Sequence, residues 1–166
     1  MYRIVQDFID DWQKESASTL KVMKALNDES LRQKVTREGR SLGFLAWHII
    51  TTLNEMGSKA GLKIDAPAEH STPPVSADAI SSAYEHASKS VAECVQTQWN
   101  DAMLPDVLDM YGEKWSRGAI LYALIKHEAH HRAQMTVLMR QANLKVPGVY
   151  GPSKEEWVAF GMKAPE

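Results

Sequence analysis

Apolar residues recur at steps of three and four through four long segments of the chain, and no stretch shows a convincing strand alternation. In the first segment, over residues 2–27, Val5, Phe8, Ile9, Trp12, Leu20, Met23 and Leu26 form one stripe. The second opens at Ser41, a residue suited to N-capping. It runs through Leu42, Leu45, Ile49, Leu53 and Met56 before "GSKAGLK" weakens it. The third starts at Ser76, after Pro73 and Pro74, with Asp78 in the first turn where the helix dipole favours a carboxylate. Its stripe is Ile80, Tyr84, Ala87, Val91 and Val95, and it closes at Gln98. Ser116 caps the fourth, which reads to about Ala142. Beyond "LKVPGVYGP", Ser153-x-x-Glu156 is a capping box that predicts a short C-terminal helix burying Trp157 and Phe160.

Four amphipathic helices of roughly 20–27 residues, at ~1.5 Å rise per residue, are each about 30–40 Å long. Burying four such stripes together predicts an all-α fold, an antiparallel four-helix bundle with a short C-terminal helix. The 166 residues suit one domain, 1–166, around one core. The connections "IDAPAEHSTPPV" and "NDAMLPDVLDMYGEKW" are longer than a hairpin between neighbouring helices needs, so one of them is expected to cross the bundle. No internal repeat or low-complexity tract is evident.

Composition then removes several function classes. Lys plus Arg number 19 against 21 Asp plus Glu, a formal net charge of −2, with none of the clustered basic residues that nucleic-acid binding requires. The longest apolar run, "GAILYALI", is too short to span a bilayer, and "MYRIVQDFIDDW" has neither an apolar signal core nor a cleavage site. No nucleic-acid or membrane partner is therefore expected. The single cysteine, Cys94, cannot form an internal disulfide and reads as a small core residue, so a reduced, cytoplasmic setting is expected.

The chemistry concentrates in "LIKHEAHHRAQM", residues 124–135, which holds three of the six histidines within five positions. The fourth stripe runs Ile120, Leu124, His127, His131, Met135, Leu138, Ala142, so His127 and His131 stand where core leucines would be expected. Four residues apart on a helix, both rings can reach one point. Two imidazoles left unsatisfied in a core would cost several kcal/mol, an expense that something inside must offset. His130 projects about 100° from the stripe and reads as a flanking residue. Glu128 lies on the other flank and reads as solvated or paired along the helix, with a ligand-orienting or proton-shuttling role as the alternative. His48, in "FLAWHII", sits at the edge of the second stripe. By itself it reads as a hydrogen-bonded boundary histidine; given the pair in the fourth helix, it can supply a third ligand across the bundle. His70 and His86 read as surface residues, and Glu55 as exposed or supporting.

Two named motifs are tested and set aside. His127-Glu128-x-x-His131 matches the zinc-peptidase pattern literally, but no upstream strand and no downstream third ligand accompany it. Glu128-x-x-His131 is half of a di-iron bundle site, and no other Glu in the chain has a His three residues later.

The strings "SLGFLAWHI", "HEAHHRAQM" and the terminal "GVYGPSKEEW" together resemble the DinB-like, or YfiT-like, family of damage-inducible, metal-dependent proteins. The similarity covers most of the chain, and "H-x-x-x-H-R-x-Q" after an apolar helix is its most specific part. The resemblance implies an antiparallel four-helix bundle holding a divalent metal, zinc or nickel, on His48, His127 and His131. It also implies homodimers and, in some members, transfer of a low-molecular-weight thiol to a small-molecule substrate. Ala133 stands where the family often has glycine, which bears on close helix packing rather than on metal binding.

Three neutral imidazoles would leave an open coordination position, as in catalytic rather than structural zinc sites. Such a site can activate water or deprotonate a coordinating thiol. The residues therefore allow a hydrolase, a thiol S-transferase, or a non-catalytic metal- or ligand-binding stress-response bundle. They name no catalytic residue beyond the ligands.

Overall fold

The computed structural model describes residues 1–165. Its four long helices are α1 Val5–Met23, α2 Leu42–Lys59, α3 Ala77–Gln98 and α4 Arg117–Gln141. The three serines predicted as caps all cap: the hydroxyls of Ser41, Ser76 and Ser116 accept from the backbone N–H of Phe44, Ala79 and Ala119. Each satisfies one of the orphan donors of a first turn. The first helix has no such residue, and its leading N–H, that of Val5, donates instead to Asp101 Oδ1 at 2.7 Å.

Cross-helix contacts give the topology. Trp12 lies opposite Ser88, and Thr19 and Tyr84 meet on one carboxylate, so α1 and α3 run antiparallel. The Tyr2 amide bonds Gly118 and Arg132 bonds Glu15, so α1 and α4 run parallel. His48 faces His127 and His131 while Leu45 shares a cleft with Leu138, which makes α2 and α4 antiparallel. The chain is thus a bundle with two helices up and two down, ordered α1, α3, α2, α4 around the core. Joining the parallel neighbours α2 and α3 requires a return crossing, and the Pro-rich connection performs it. It runs back along α2, with Asn54 bonded to the Ala66 carbonyl at 2.9 Å and Trp47 to the Ser71 carbonyl at 3.0 Å. One core gathers Phe8, Ile9, Trp12, Ile49, Ile50, Leu53, Ile80, Tyr84, Val91, Leu121 and Met135. No helix among the described residues is long and apolar enough to cross a membrane.

Two expectations are corrected. The connection before α4 contains a hairpin, β1 Val107–Met110 and β2 Glu113–Ser116, paired antiparallel with Leu108 opposite Trp115. Four residues per strand are too few for alternation to register, and the turn uses Tyr111-Gly112, both at positive φ, rather than a familiar Asn-Gly. At the C-terminus, Trp157–Phe160 is a single 3₁₀ turn; Trp157 is half-buried and Phe160 is exposed. The capping box is half formed. Glu156 accepts from the Ser153 N–H at 3.1 Å, but also from the Gly148 N–H and Lys21, so it ties this segment to α1.

Gly118, in the first turn of α4, lies under the backbone of Tyr2, where a Cβ would overlap the Tyr2 carbonyl oxygen. Gly118→Ala gains about 1 kcal/mol in helix propensity. Overlap with backbone cannot be relieved by a side-chain rotation and should cost about 1–3 kcal/mol. The net expectation is a lower urea midpoint at unchanged m-value, and a midpoint equal to or above wild type would contradict this packing.

Candidate metal centre

The rotation of α4 decides what its side chains meet. Its fully buried line runs through Leu121, Leu124, Glu128, Arg132, Met135 and Met139, with His131 beside it. Glu128 is 1% exposed, which corrects its reading as a solvated flank. Its Oε1 accepts from the Thr19 and Tyr84 hydroxyls, both at 2.7 Å. Arg132 donates to Thr19 Oγ1 at 2.9 Å, to the Glu15 carbonyl at 3.0 Å and to Glu15 Oε2 at 2.7 Å. The Tyr150 hydroxyl completes the group by contacting Arg132 and donating to Glu15 at 2.8 Å. Burial raises the Glu128 carboxyl to about 7, against the lowering effect of these hydroxyls and of Arg132. Glu128 Oε2 is buried with no partner among the described residues.

The histidines stand one residue back from these groups on the helix and face α2. His131 is buried, while His127 and His48 are half-buried at its side. Ring centroids lie 4.5 Å apart for His127–His131, 4.7 Å for His48–His131 and 5.0 Å for His48–His127. One ring nitrogen from each lies within 4.8 Å of the others, so the three could hold one ion. Burial pushes His127 down to about 4, helped by the neighbouring imidazoles and Arg40. His48 and His131 are lowered too, chiefly by burial. All three are thus neutral near pH 7, the form that binds a metal.

His131 Nδ1 lies 2.7 Å from Gln134 Oε1. Because an amide oxygen only accepts, Nδ1 carries the proton and Nε2 keeps its lone pair. Gln134 therefore orients the His131 ring and fixes its tautomer, as residues supporting a metal ligand do. The motif string contained this glutamine, but its role needed the rotamer. Donor chemistry fits as well: three neutral imidazoles suit zinc, nickel or a similar divalent ion.

The other histidines separate as expected. His130 is exposed and outside the convergent group, although its ring is 4.8 Å from that of His131. His86 is exposed and bonded to Asp65 at 2.8 Å. His70 is exposed, yet it lines a cleft of about 360 Å³ with Arg40, Phe44, His48, Thr51, Thr52, Glu55, Glu69 and Ser71. The returning connection is therefore one wall of the space beside His48, which its lack of periodicity could not reveal. Cys94 is buried, its thiol facing the Lys63 carbonyl, and Ala133 is exposed, so its methyl group is clear of the core. Glu128, turned toward α1 and α3, does not occupy the general-base position that the peptidase pattern needs.

The DinB family's sequence profile matches residues 1–164. The protein YrdA of Bacillus subtilis (strain 168), itself described as uncharacterised, is 42% identical over 166 residues, covering 100% of this chain and 99% of its own. A crystal structure of a DinB-like protein from Bacillus cereus ATCC 10987 superposes with a TM-score of 0.87 at 39% identity, over 90% of this chain and 100% of that one. A second DinB-like structure, YjoA of Bacillus subtilis, shares the fold with a TM-score of 0.67 at 16% identity, over 86% of this chain and 96% of its own.

Purified protein is expected to carry about one divalent metal per chain, and His127→Ala or His131→Ala to lose it while His130→Ala retains it. Elemental analysis finding full metal in both of the first two variants removes the site. In the metal-free chain the unfolded histidine, near 6.5, binds a proton that folded His127 refuses until about pH 4. The stabilising effect of the neutral ring is present above pH 6.5 and lost as pH falls toward 4. Urea melts at pH 7 and pH 5 should therefore show wild type losing more stability than His127→Gln. A difference independent of pH would mean that His127 titrates as it does in the unfolded chain.

Proposed function

The chain belongs to the DinB family, and from that premise we propose that it is a metal-dependent enzyme acting on a small molecule. In this reading His48, His127 and His131 hold one divalent ion, zinc or nickel, and leave part of its coordination sphere to substrate. The observation that carries it is the convergence of three neutral imidazoles, one with its tautomer fixed by Gln134, beside a cleft that His48 itself lines. A bound ion would supply Lewis acidity, lowering the pKa of a coordinated thiol or water.

Between these two we favour transfer of a low-molecular-weight thiol. The carboxylate nearest in sequence, Glu128, accepts from Thr19 and Tyr84 inside the bundle and is not free to take a proton from water. A thiol needs no such base, because coordination alone deprotonates it. Hydrolysis is the second reading, favoured by Glu55 and Glu69 in the wall of the cleft. Gln134 orients His131, and the Glu128–Arg132 cluster keeps α4 turned so that both its ligands face α2. A homodimer in the cytoplasm goes with this proposal.

The test is a screen of metal-loaded protein with low-molecular-weight thiols and electrophiles, beside a panel of esters and amides. We expect thiol conjugation that chelation abolishes, metal restores and His127→Ala lacks. Ester or amide turnover with the same dependence would favour hydrolysis. No turnover in either panel, with one metal bound per chain, would sink the enzyme and leave a binding protein.

A further inference from the structure

One cation stands beside the centre without a task in the fold. Arg40 immediately precedes the cap of α2, and its guanidinium carbon lies 5.1 Å from the centroid of the Phe44 ring. The Phe44 ring in turn stacks on His48, centroids 5.9 Å apart and 11° from coplanar. Guanidinium, phenyl and imidazole thus form one stack along the exposed face of α2, ending at a residue of the triad. The buried and half-buried arginines have carboxylates, Arg132 with Glu15 and Arg117 with Asp106, whereas Arg40 is exposed. Arg40 makes no ion pair with any described residue, which leaves its fork of N–H donors facing outward.

The space around it is shaped for a ligand. Arg40 lines the 360 Å³ cleft that contains His48, and also a neighbouring cleft of about 340 Å³ with Leu45, Gln134 and Leu138. Both volumes lie within the range of small-molecule sites. The first cleft is bipolar. Arg40 marks its positive end, just before the start of α2, while Glu55 stands thirteen residues past Leu42, about 20 Å along the helix axis, and Glu69 joins the same wall. A molecule carrying a carboxylate can enter in only one sense without meeting like charge. A planar guanidinium braced on an aromatic ring is suited to hold that carboxylate through paired N–H donors.

We propose that Arg40 is the anion-recognising residue of the site, holding a carboxylate of the substrate against Phe44 so that its reacting group meets the triad. The inference rests on the metal reading above and adds the charge of the ligand and the residue that reads it.

The test uses the full chain loaded with cobalt(II) and two thiols of equal size, 3-mercaptopropionate and its uncharged amide. Binding is followed by the sulfur-to-cobalt absorption band, with metal content measured on the same samples. Wild type should bind the acid at least about tenfold more tightly than the amide, as expected for one charge-assisted pair of hydrogen bonds. Arg40→Gln should bind both alike, at the amide's affinity and with full cobalt, and Arg40→Lys should keep only part of the preference. Equal binding by wild type, or a preference surviving in Arg40→Gln, overturns the proposal. Loss of cobalt from Arg40→Gln alone overturns it too, since Arg40 would then support the histidines rather than the ligand. Failure of wild type to hold cobalt overturns the metal reading itself, and this one with it. If Arg40→Gln loses its helical signal, Arg40→Lys decides, an undiminished preference counting against recognition by the paired donors.

Discussion

The structure turns on one buried ion pair and the hydroxyls that complete it. Arg132 is almost fully enclosed, with 2% of its side chain exposed, and a guanidinium cannot be neutralised by giving up its proton. It must therefore find acceptors wherever α4 docks. Glu15 supplies a carboxylate and a carbonyl, and Thr19 passes the connection on to Glu128, which Tyr84 of α3 also meets. Three helices are joined through one polar knot. Breaking such a pair by removing one partner is far more damaging than replacing the whole group with apolar residues. With leucines at 128 and 132, α4 could pack at several rotations; the hydrogen-bonded cluster is satisfied at one.

That rotation is what brings the three histidines together. Positions 127 and 131 each precede a member of the knot by one residue, about 100° around the helix. Fixing Glu128 and Arg132 toward α1 and α3 therefore turns His127 and His131 toward α2, where His48 waits. The return connection then closes the outer side. Trp47, one residue before His48, holds Ser71 by its indole N–H and so keeps Glu69 and His70 in the wall of the cleft. Structural and chemical residues alternate along both helices, each position setting the direction of its neighbour.

Most of this was legible in the chain, and the misreading of α4 has one cause. Helix boundaries followed from apolar period and serine caps because both are local. The triad was legible because imidazoles near an apolar stripe are conspicuous. Hydrophobicity alone, however, assigns every charged residue to solvent, so the stripe was centred on His127 when its buried line passes through Glu128 and Arg132. Only partners distant in sequence, Glu15, Thr19 and Tyr84, make those charges compatible with burial, and nothing local announces them. The hairpin at Val107–Ser116 escaped for a different reason, its four-residue strands being too short for alternation to register.

Burying polar groups on both sides of α4 has opposite consequences for acid and base. Desolvation drives each group to its neutral form, lowering the imidazoles and raising Glu128 to about 7. For His127 of the metal-free chain, the unfolded state binds more protons between about pH 4 and 6.5, so stability rises with pH there. For Glu128 the folded state keeps a proton that the unfolded chain releases near 4.5, so stability falls as pH rises from there through about 7. The two slopes oppose each other across their shared window, and the net dependence of the metal-free fold is flatter than either group alone would impose. A cation held by the three imidazoles would require their neutral form, and its charge would also favour the ionised form of Glu128 on the same helix. The histidine cluster and the polar knot are therefore built from one stretch of helix yet respond to pH in opposite directions.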